Sequence, residues 1–363
     1  MSDIRISAAV MAHPSRAENA RKVAGQCPEL EPRIVFDPDP GTPGSTLRTA
    51  LLAWETIPDA ATHHLVLQDD VLLCADFSEE VAAAVASRPD SPLFLFTDWG
   101  TRAAQTLRLA ALGGRSWAEV IDEVVPAQAI LLPASMVAEF VAFVAAHPEI
   151  GDDDAVSMRA FLDARQATAF VSVPNLVEHQ GLPSLLGNDL LMGHRRSPCF
   201  GHPPRSASSW SSAAVECLTV VPHFWTGRSI CCVRENGRWE DVTTHHWLTR
   251  NGMPLPEQIE RFEEAVDAAP VMPTVQETIS RTLVFEFWLT AFMFGAVAAS
   301  LGDDLPAAVK RPLARRSLDT LLAGGLRRLL APERIVAVSA EFTPLLHAGI
   351  EAGASAGLFG TAS

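Results

Sequence analysis

The sequence predicts an α/β protein in which a domain built on a mostly parallel sheet is followed by a small β section and a helical domain. Three observations predict it. Over the first two hundred residues, short apolar runs alternate regularly with Ala-rich amphipathic stretches, the pattern of strands joined by crossover helices. Beyond them lies a polar, small-residue run, Ser206–Ser212, which suits a linker, and then two β-rich runs near Asn236-Gly237. From Pro256 the pattern is helical, broken at Pro270, Pro273, Gly302, Pro306, Pro312 and Pro332. The expected domains are 1–205, 206–255 and 256–363.

The elements follow in order. Ile4–Met11 reads as the first strand, and Ser15 as N-cap of a helix running through Glu18–Gly25. Arg33–Phe36 is the second strand, stopped by the turn-rich Asp37-Pro38-Asp39-Pro40-Gly41. Leu47–Trp54 is helical, and His64–Leu67 is a third strand that runs straight into Asp69-Asp70. A helix over Phe77–Ser87 precedes the strand Leu93–Thr97; Ala127–Leu132 and Ala169–Val173 are further strands. Between those two lie helices from Ser135 to Ala146 and from Asp152-Asp153-Asp154 through Ala164. In the β section, Cys217–Val221 and Ser229–Val233 form a strand pair, with Asn236-Gly237 suited to a tight hairpin turn.

Composition bounds the function. A chain of 363 residues, 48% hydrophobic and 20% charged, is globular and carries a soft expectation of two domains. Asp plus Glu is 43 against 28 Lys plus Arg, so the net charge is 28 − 43 = −15, which argues against nucleic acid or an anionic membrane surface as partner. The six cysteines have no regular spacing and the N-terminus lacks the form of a signal peptide, so the expected setting is reducing and cytoplasmic. Leu283–Leu301 is long and apolar enough to span a bilayer, but Glu286 lies within it; the expectation is a buried bundle helix or a homodimer interface, not a membrane span.

Three segments carry possible chemistry. An apolar strand ending in Asp69-Asp70 sets two carboxylates at the carboxyl edge of a sheet, where α/β proteins bind ligands. Adjacent carboxylates repel unless a cation or hydrogen-bond donors hold them, and their oxygens suit Mg²⁺ or Mn²⁺; the plain alternative is a solvated turn. His179, in Val173-Pro174-Asn175-Leu176-Val177-Glu178-His179-Gln180-Gly181, is either a structural histidine or the imidazole that completes such a coordination shell. Asp152, Asp153 and Asp154 are read either as caps of the following helix, which at least one of them is expected to be, or as a general base.

The order of these pieces resembles a known family. His13-Pro14-Ser15-Arg16 after the first strand, Thr62–Asp70 (THHLVLQDD), an acidic helix start and Pro174–His179 are together similar to the GT-A fold glycosyltransferases, in particular a bacterial and phage-associated group of small glycosyltransferase-like proteins, over about residues 4–200. The resemblance implies a Rossmann-like sheet and transfer of a sugar from a nucleotide diphosphate-sugar donor to an acceptor hydroxyl, with Mn²⁺ or Mg²⁺ held by a DxD-type motif. On this chain it makes Asp70 the metal ligand, Asp69 a ribose, sugar or second metal contact, and His179 the distal metal ligand. Asp154, then Asp153, would be the base. His13, Ser15 and Arg16 would border the nucleotide, Asp37 would face base or ribose, and Arg48 would approach the diphosphate. Gln68 stands where a strict Asp-x-Asp would place a carboxylate.

Two other readings compete. A nucleotidyltransferase would carry a Gly-rich basic loop after the first strand, and Met11–Arg16 has no glycine. A non-catalytic nucleotide-sugar-binding or assembly protein would use the helical domain for interaction. In the C-terminal part, His202, His223, His245 and His246 with Cys217, Cys231 and Cys232 lack finger-like zinc spacing. Trp210, Trp225, Trp239 and Trp247 are expected in the core of the β section, and the pairs Lys310-Arg311, Arg315-Arg316 and Arg327-Arg328 on a solvated face.

Overall fold

The computed structural model describes residues 4–42, 45–201, 210–269, 273–302 and 304–359. The chain divides into two compact units, each gathered from separate segments: Met1–Thr97, Ser116–Asn188 and Phe200–Ala214 in the first, Asp98–Arg115, Asp189–Cys199 and Val215–Ser363 in the second. The limits expected at 205 and 255 therefore differ from the observed partition. The expected β section from Val215 on joins the helical part in one unit, and the segment Asp98–Arg115 joins them. Its helix, Arg102–Gly113, is buried on every side from Ala103 to Leu112, so it needs apolar neighbours all round and finds them in the second unit.

The first unit is a layered α/β structure. Its strands are β1 (Ile6–Ala12), β2 (Arg33–Phe36), β3 (His63–Gln68), β4 (Val71–Leu73), β5 (Leu93–Phe94), β6 (Trp117–Glu119), β7 (Ala129–Pro133), β8 (Phe170–Ser172), β9 (Val177–His179) and β10 (Ala214–Val215). Eight of them form one sheet in the order β10-β6-β8-β5-β7-β3-β1-β2, while β4 and β9 make a separate two-stranded ribbon. The pairings run β2, β1, β3, β5 and β8 in one sense and β7 and β6 in the other, so the sheet is mostly parallel, as expected. Val10, Leu65, Leu67, Leu93 and Leu131 fill its core.

Three local expectations change. Ser15 does not cap the first helix: Pro14–Arg16 is a turn of 3-10 helix capped by the His13 ring, and the α-helix begins at Ala17 without a side-chain cap. The strand expected over Leu93–Thr97 stays in the ladder only for Leu93–Phe94, because the Leu95 carbonyl turns to accept from the amides of Leu176 and Val177. Trp210–Ser212 are not linker. Trp210 packs on Trp117 with ring centroids 5.1 Å apart and donates to Glu80, and Arg88 donates to the Ser212 carbonyl, which ties these residues to the first unit. Residues 206–209 of that expected linker, with His202 and Pro270, lie outside the described residues.

The second unit combines a three-stranded antiparallel sheet, β11 (Val220–Trp225), β12 (Arg228–Glu235) and β13 (Arg238–Thr243), with helices. Asn236 and Gly237, at φ 50° and 80°, make the β12–β13 turn that their sequence favours. Prolines open the helices Pro273–Thr278, Pro312–Asp319 and Pro332–Ser355, where a missing N–H costs nothing. Arg281–Ser300 is long and apolar enough to cross a membrane, and 72% of its most apolar window is buried within the protein. It crosses Pro332–Ser355 at glycines: a Cβ on Gly295 would lie 1.8 Å from the Ile350 carbonyl oxygen, and one on Gly353 1.7 Å from that of Phe292. Glu286 accepts from the Ser229 amide at 2.7 Å, which accounts for a carboxylate in so apolar a helix. Arg327, expected on a solvated face, is instead buried with its Nε 3.3 Å from Asp98.

Candidate functional site

β3 delivers two carboxylates to the carboxyl edge of the sheet of the first unit. His63 and His64 at its start are core residues: His64 bonds Ser7 and the Ala53 carbonyl, and burial holds both rings below the ordinary imidazole range. After Gln68 the chain leaves the sheet through Asp69-Asp70 and enters the β4–β9 ribbon. The ribbon sets Val71 opposite His179 and Leu73 opposite Val177, and the Gln180 amide donates to the Asp70 carbonyl at 2.8 Å. Residues 109 apart in sequence are joined there by the Gln180 side chain on the Val71 carbonyl, so a three-residue pairing brings His179 to Asp70.

The cluster that results is nearly sealed. Side-chain exposures are 8% for Asp69, 9% for Asp70, 12% for Arg16 and 1% for His179. Arg16 Nη1 lies 3.1 Å from Asp69 Oδ1 and 3.0 Å from Asp70 Oδ2, so one guanidinium bridges both carboxylates. Its Nη2 donates to the Pro183 carbonyl at 2.5 Å. The His13 amide donates to Asp69 Oδ2 at 2.9 Å. Burial raises the Asp69 carboxyl above its ordinary range, while that amide and Arg16 pull it down. His179 accepts the Gly181 amide on Nδ1 at 2.9 Å, and its buried Nε2 sits 3.4 Å from Asp70 Oδ2 without a hydrogen bond.

A second group adjoins the first through β1 and β2. Asp37 follows β2, its amide donates to the Ala12 carbonyl, and Arg48 grips its carboxylate with Nε at 2.6 Å and Nη2 at 2.9 Å. That grip, with some help from the nearby His13, holds Asp37 below the ordinary carboxylate range. Arg48 also donates to the carbonyls of Asp39 and Thr42, so it shapes the 37–42 loop instead of reaching outward. Ser15 is spent on the His13 ring at 2.7 Å.

Thr46 connects this group to the acidic helix start. Its hydroxyl accepts the Asp154 amide at 3.1 Å, and the Leu47 amide donates to the Asp152 carbonyl. Asp153 is the N-cap, accepting from Ala155 and Val156 at 2.9 and 3.0 Å. Asp154 is buried, and burial pushes its carboxyl up to about 6, the range in which a carboxylate is an effective base near neutral pH. The structure thus brings His13, Arg16, Asp69, Asp70 and His179 into one cluster, pairs Asp37 with Arg48 beside it, and holds Asp154 at a helix start tied to Thr46. It gives Asp153 and Ser15 local structural bonds. Thr46, Gly181 and Pro183 were missed by sequence reasoning; only the Ser/Thr preceding an apolar run signalled Thr46.

The donor chemistry suits a hard divalent cation: two carboxylates converge on one positive charge, with a buried imidazole nitrogen beside them. The arrangement as it stands is not a finished cage, and among the described residues no three His, Cys, Asp or Glu side chains are set to hold a metal ion. Arg16 occupies the electrostatic centre of the cluster, and the Nδ1 bond to Gly181 puts the proton of a neutral His179 ring on Nε2. No protein-family model and no curated protein matches the chain.

Proposed function

We propose that the first unit is the catalytic unit of a metal-dependent glycosyltransferase of the GT-A type, moving a sugar from a nucleotide diphosphate-sugar to an acceptor hydroxyl. One observation carries this reading: five residues that the motif order assigns to donor and cation, from His13 to His179, meet in one cluster at the end of β3, and the backbone bond from Asp37 to Ala12 sets the Asp37–Arg48 pair beside it. Asp69, Asp70 and His179 would hold Mn²⁺ or Mg²⁺, which when bound neutralises charge on the departing diphosphate.

The remaining work falls to the chain. Arg48 fixes Asp37 and the 37–42 loop as a rigid wall at the end of β2. In an inverting transfer, Asp154 takes the proton of the acceptor hydroxyl; the acceptor oxygen bonds to the anomeric carbon as the bond from that carbon to the diphosphate oxygen breaks. In a retaining transfer the same carboxylate only positions the acceptor. Burial raises Asp154 enough to accept a proton at neutral pH while it remains ionised there.

A panel of nucleotide-sugars with Mn²⁺, read by thermal shift and by slow donor hydrolysis on wild type and Asp70→Ala, tests the reading. Stabilisation and hydrolysis with one donor, both lost in Asp70→Ala, is the expected result. Silence across the panel with a folded protein overturns it and favours a binding or assembly role.

A further inference from the structure

We infer that the 181–183 loop and a divalent cation exclude one another at the Asp69–Asp70–His179 cluster, with Arg16 as the resident charge that the cation must displace. This rests on the cation-binding part of the function proposed above. It goes beyond that part by assigning the cation-free arrangement its own role, a locked state.

Three contacts make the lock, and each conflicts with ligation. Arg16 Nη1 stands within 3.0–3.1 Å of one oxygen of each carboxylate, where a second positive charge is repelled and finds those oxygens taken. The same guanidinium reaches the Pro183 carbonyl, so Arg16 cannot withdraw without releasing the loop. Gly181 donates its amide to His179 Nδ1, which leaves the proton of the neutral ring on Nε2, facing Asp70. Ligation through Nε2 requires its lone pair, hence a proton on Nδ1, hence loss of the Gly181 bond. Both loop contacts are therefore surrendered together. Gly181, at φ 73°, is the residue type that can adopt and leave such a conformation cheaply. Coupling of this kind is reciprocal: the factor by which the closed loop weakens cation binding equals the factor by which the cation opens the loop.

The experiment uses Mn²⁺ alone as probe. Bound metal is read from the loss of the free-ion electron paramagnetic resonance signal, and the loop from amide hydrogen exchange at residues 181–187. Arg16→Gln should bind Mn²⁺ about tenfold more tightly than wild type or better, the size of an ordinary coupling, and exchange fast at Gly181 even without metal. In wild type, Mn²⁺ should accelerate exchange at Gly181. Arg16→Lys, which keeps the charge but cannot span both carboxylates and the Pro183 carbonyl, carries the same expectation if the glutamine variant does not fold. Equal or weaker Mn²⁺ binding by these variants, or slower exchange at Gly181 on adding Mn²⁺, overturns the inference. If wild type binds Mn²⁺, Asp70→Asn does not, and the Arg16 variants bind no better, the inference fails and the function stands. If neither wild type nor the Arg16 variants bind Mn²⁺, both fail.

Discussion

Two arginines, one wholly buried in the second unit and one half-buried in the first, show how differently the same side chain is used. Arg108 in the second unit is wholly buried and spends its guanidinium on the carbonyls of Ser317 and Trp99, the amide oxygen of Gln105 and the hydroxyl of Thr320. All four partners are uncharged. Burial lowers its pKa to about 9, and the group acts as a fixed connector between the helix Arg102–Gly113 and the turn after Pro312–Asp319. Arg16 in the first unit faces two carboxylates and one carbonyl and keeps some contact with solvent. On the function proposed above, another cation would replace it at the carboxylates, whereas nothing diffusible would replace Arg108. A connector bonded to neutral oxygens is structural; a cation set between anions at a sheet edge is the one the proposal makes exchangeable.

The largest effect is expected on the exchangeable side. Asp70→Asn removes one of the two charges of the proposed cation site. Donor hydrolysis with Mn²⁺ should fall about a thousandfold, roughly 4 kcal/mol of barrier. Retention of Mn²⁺-dependent turnover in this variant would make the cluster as structural as the one around Arg108.

Arg108→Met comes next. It keeps the apolar stem and takes the guanidinium from four acceptors, of which the Ser317 carbonyl keeps the Thr320 hydroxyl, so the urea unfolding free energy should fall by about 3 kcal/mol. Arg16→Met should also destabilise, by leaving Asp69 and Asp70 facing each other. Millimolar Mn²⁺ should restore the Arg16 variant and leave the Arg108 variant unchanged. Equal rescue of both variants, or of neither, dissolves the distinction.

Asp154→Asn should cost about a hundredfold in transfer rate and remove the acidic limb of the pH–rate profile, which in wild type rises toward a plateau above pH about 6. The stability effect has the opposite sign. A carboxyl raised in the folded state from 3.8 to about 6 binds its proton more tightly there than in the unfolded chain, so it favours folding at acid pH. That contribution is lost as pH climbs from 3.8 to about 6. Above pH 6 the asparagine variant, which buries no charge, should be about 1–3 kcal/mol more stable than wild type. A variant at once less active and more stable marks a residue held for chemistry; one merely less stable would place Asp154 with Arg108.

What was legible in the sequence follows the range of the interaction. The strand ending in Asp69-Asp70 and the Asn236-Gly237 turn are local and were readable, because apolar alternation and positive-φ residues act within a few positions. The meeting of His179 with Asp70 depends on a ribbon of three residues per strand, too short to leave a periodic signal. The 3-10 turn at Pro14–Arg16 runs against that rule: it is local, but the His13 ring, not a hydroxyl, satisfies the Ser15 amide. The helix Arg102–Gly113 was missed because it is buried all round, so that its polar residues Gln105, Thr106 and Arg108 do not mark a solvent face. Nothing local to Arg108 announces that Ser317 and Thr320, more than two hundred residues on, will receive it.

The smallest effect separates two adjacent carboxylates. Asp153 caps its helix through Ala155 and Val156, so Asp153→Ala should cost about 1 kcal/mol of stability in thermal or urea unfolding. Asp153→Asn keeps an oxygen acceptor at that position and should recover most of the loss. Both substitutions also remove a negative charge that helps to raise Asp154, so both should move the acidic limb of the rate profile to lower pH by the same amount. The two readouts come apart by design: stability follows the acceptor and differs between alanine and asparagine, while the limb follows the charge and does not. If the limb disappears in either variant instead of shifting, Asp153 is the base and Asp154 its buried neighbour.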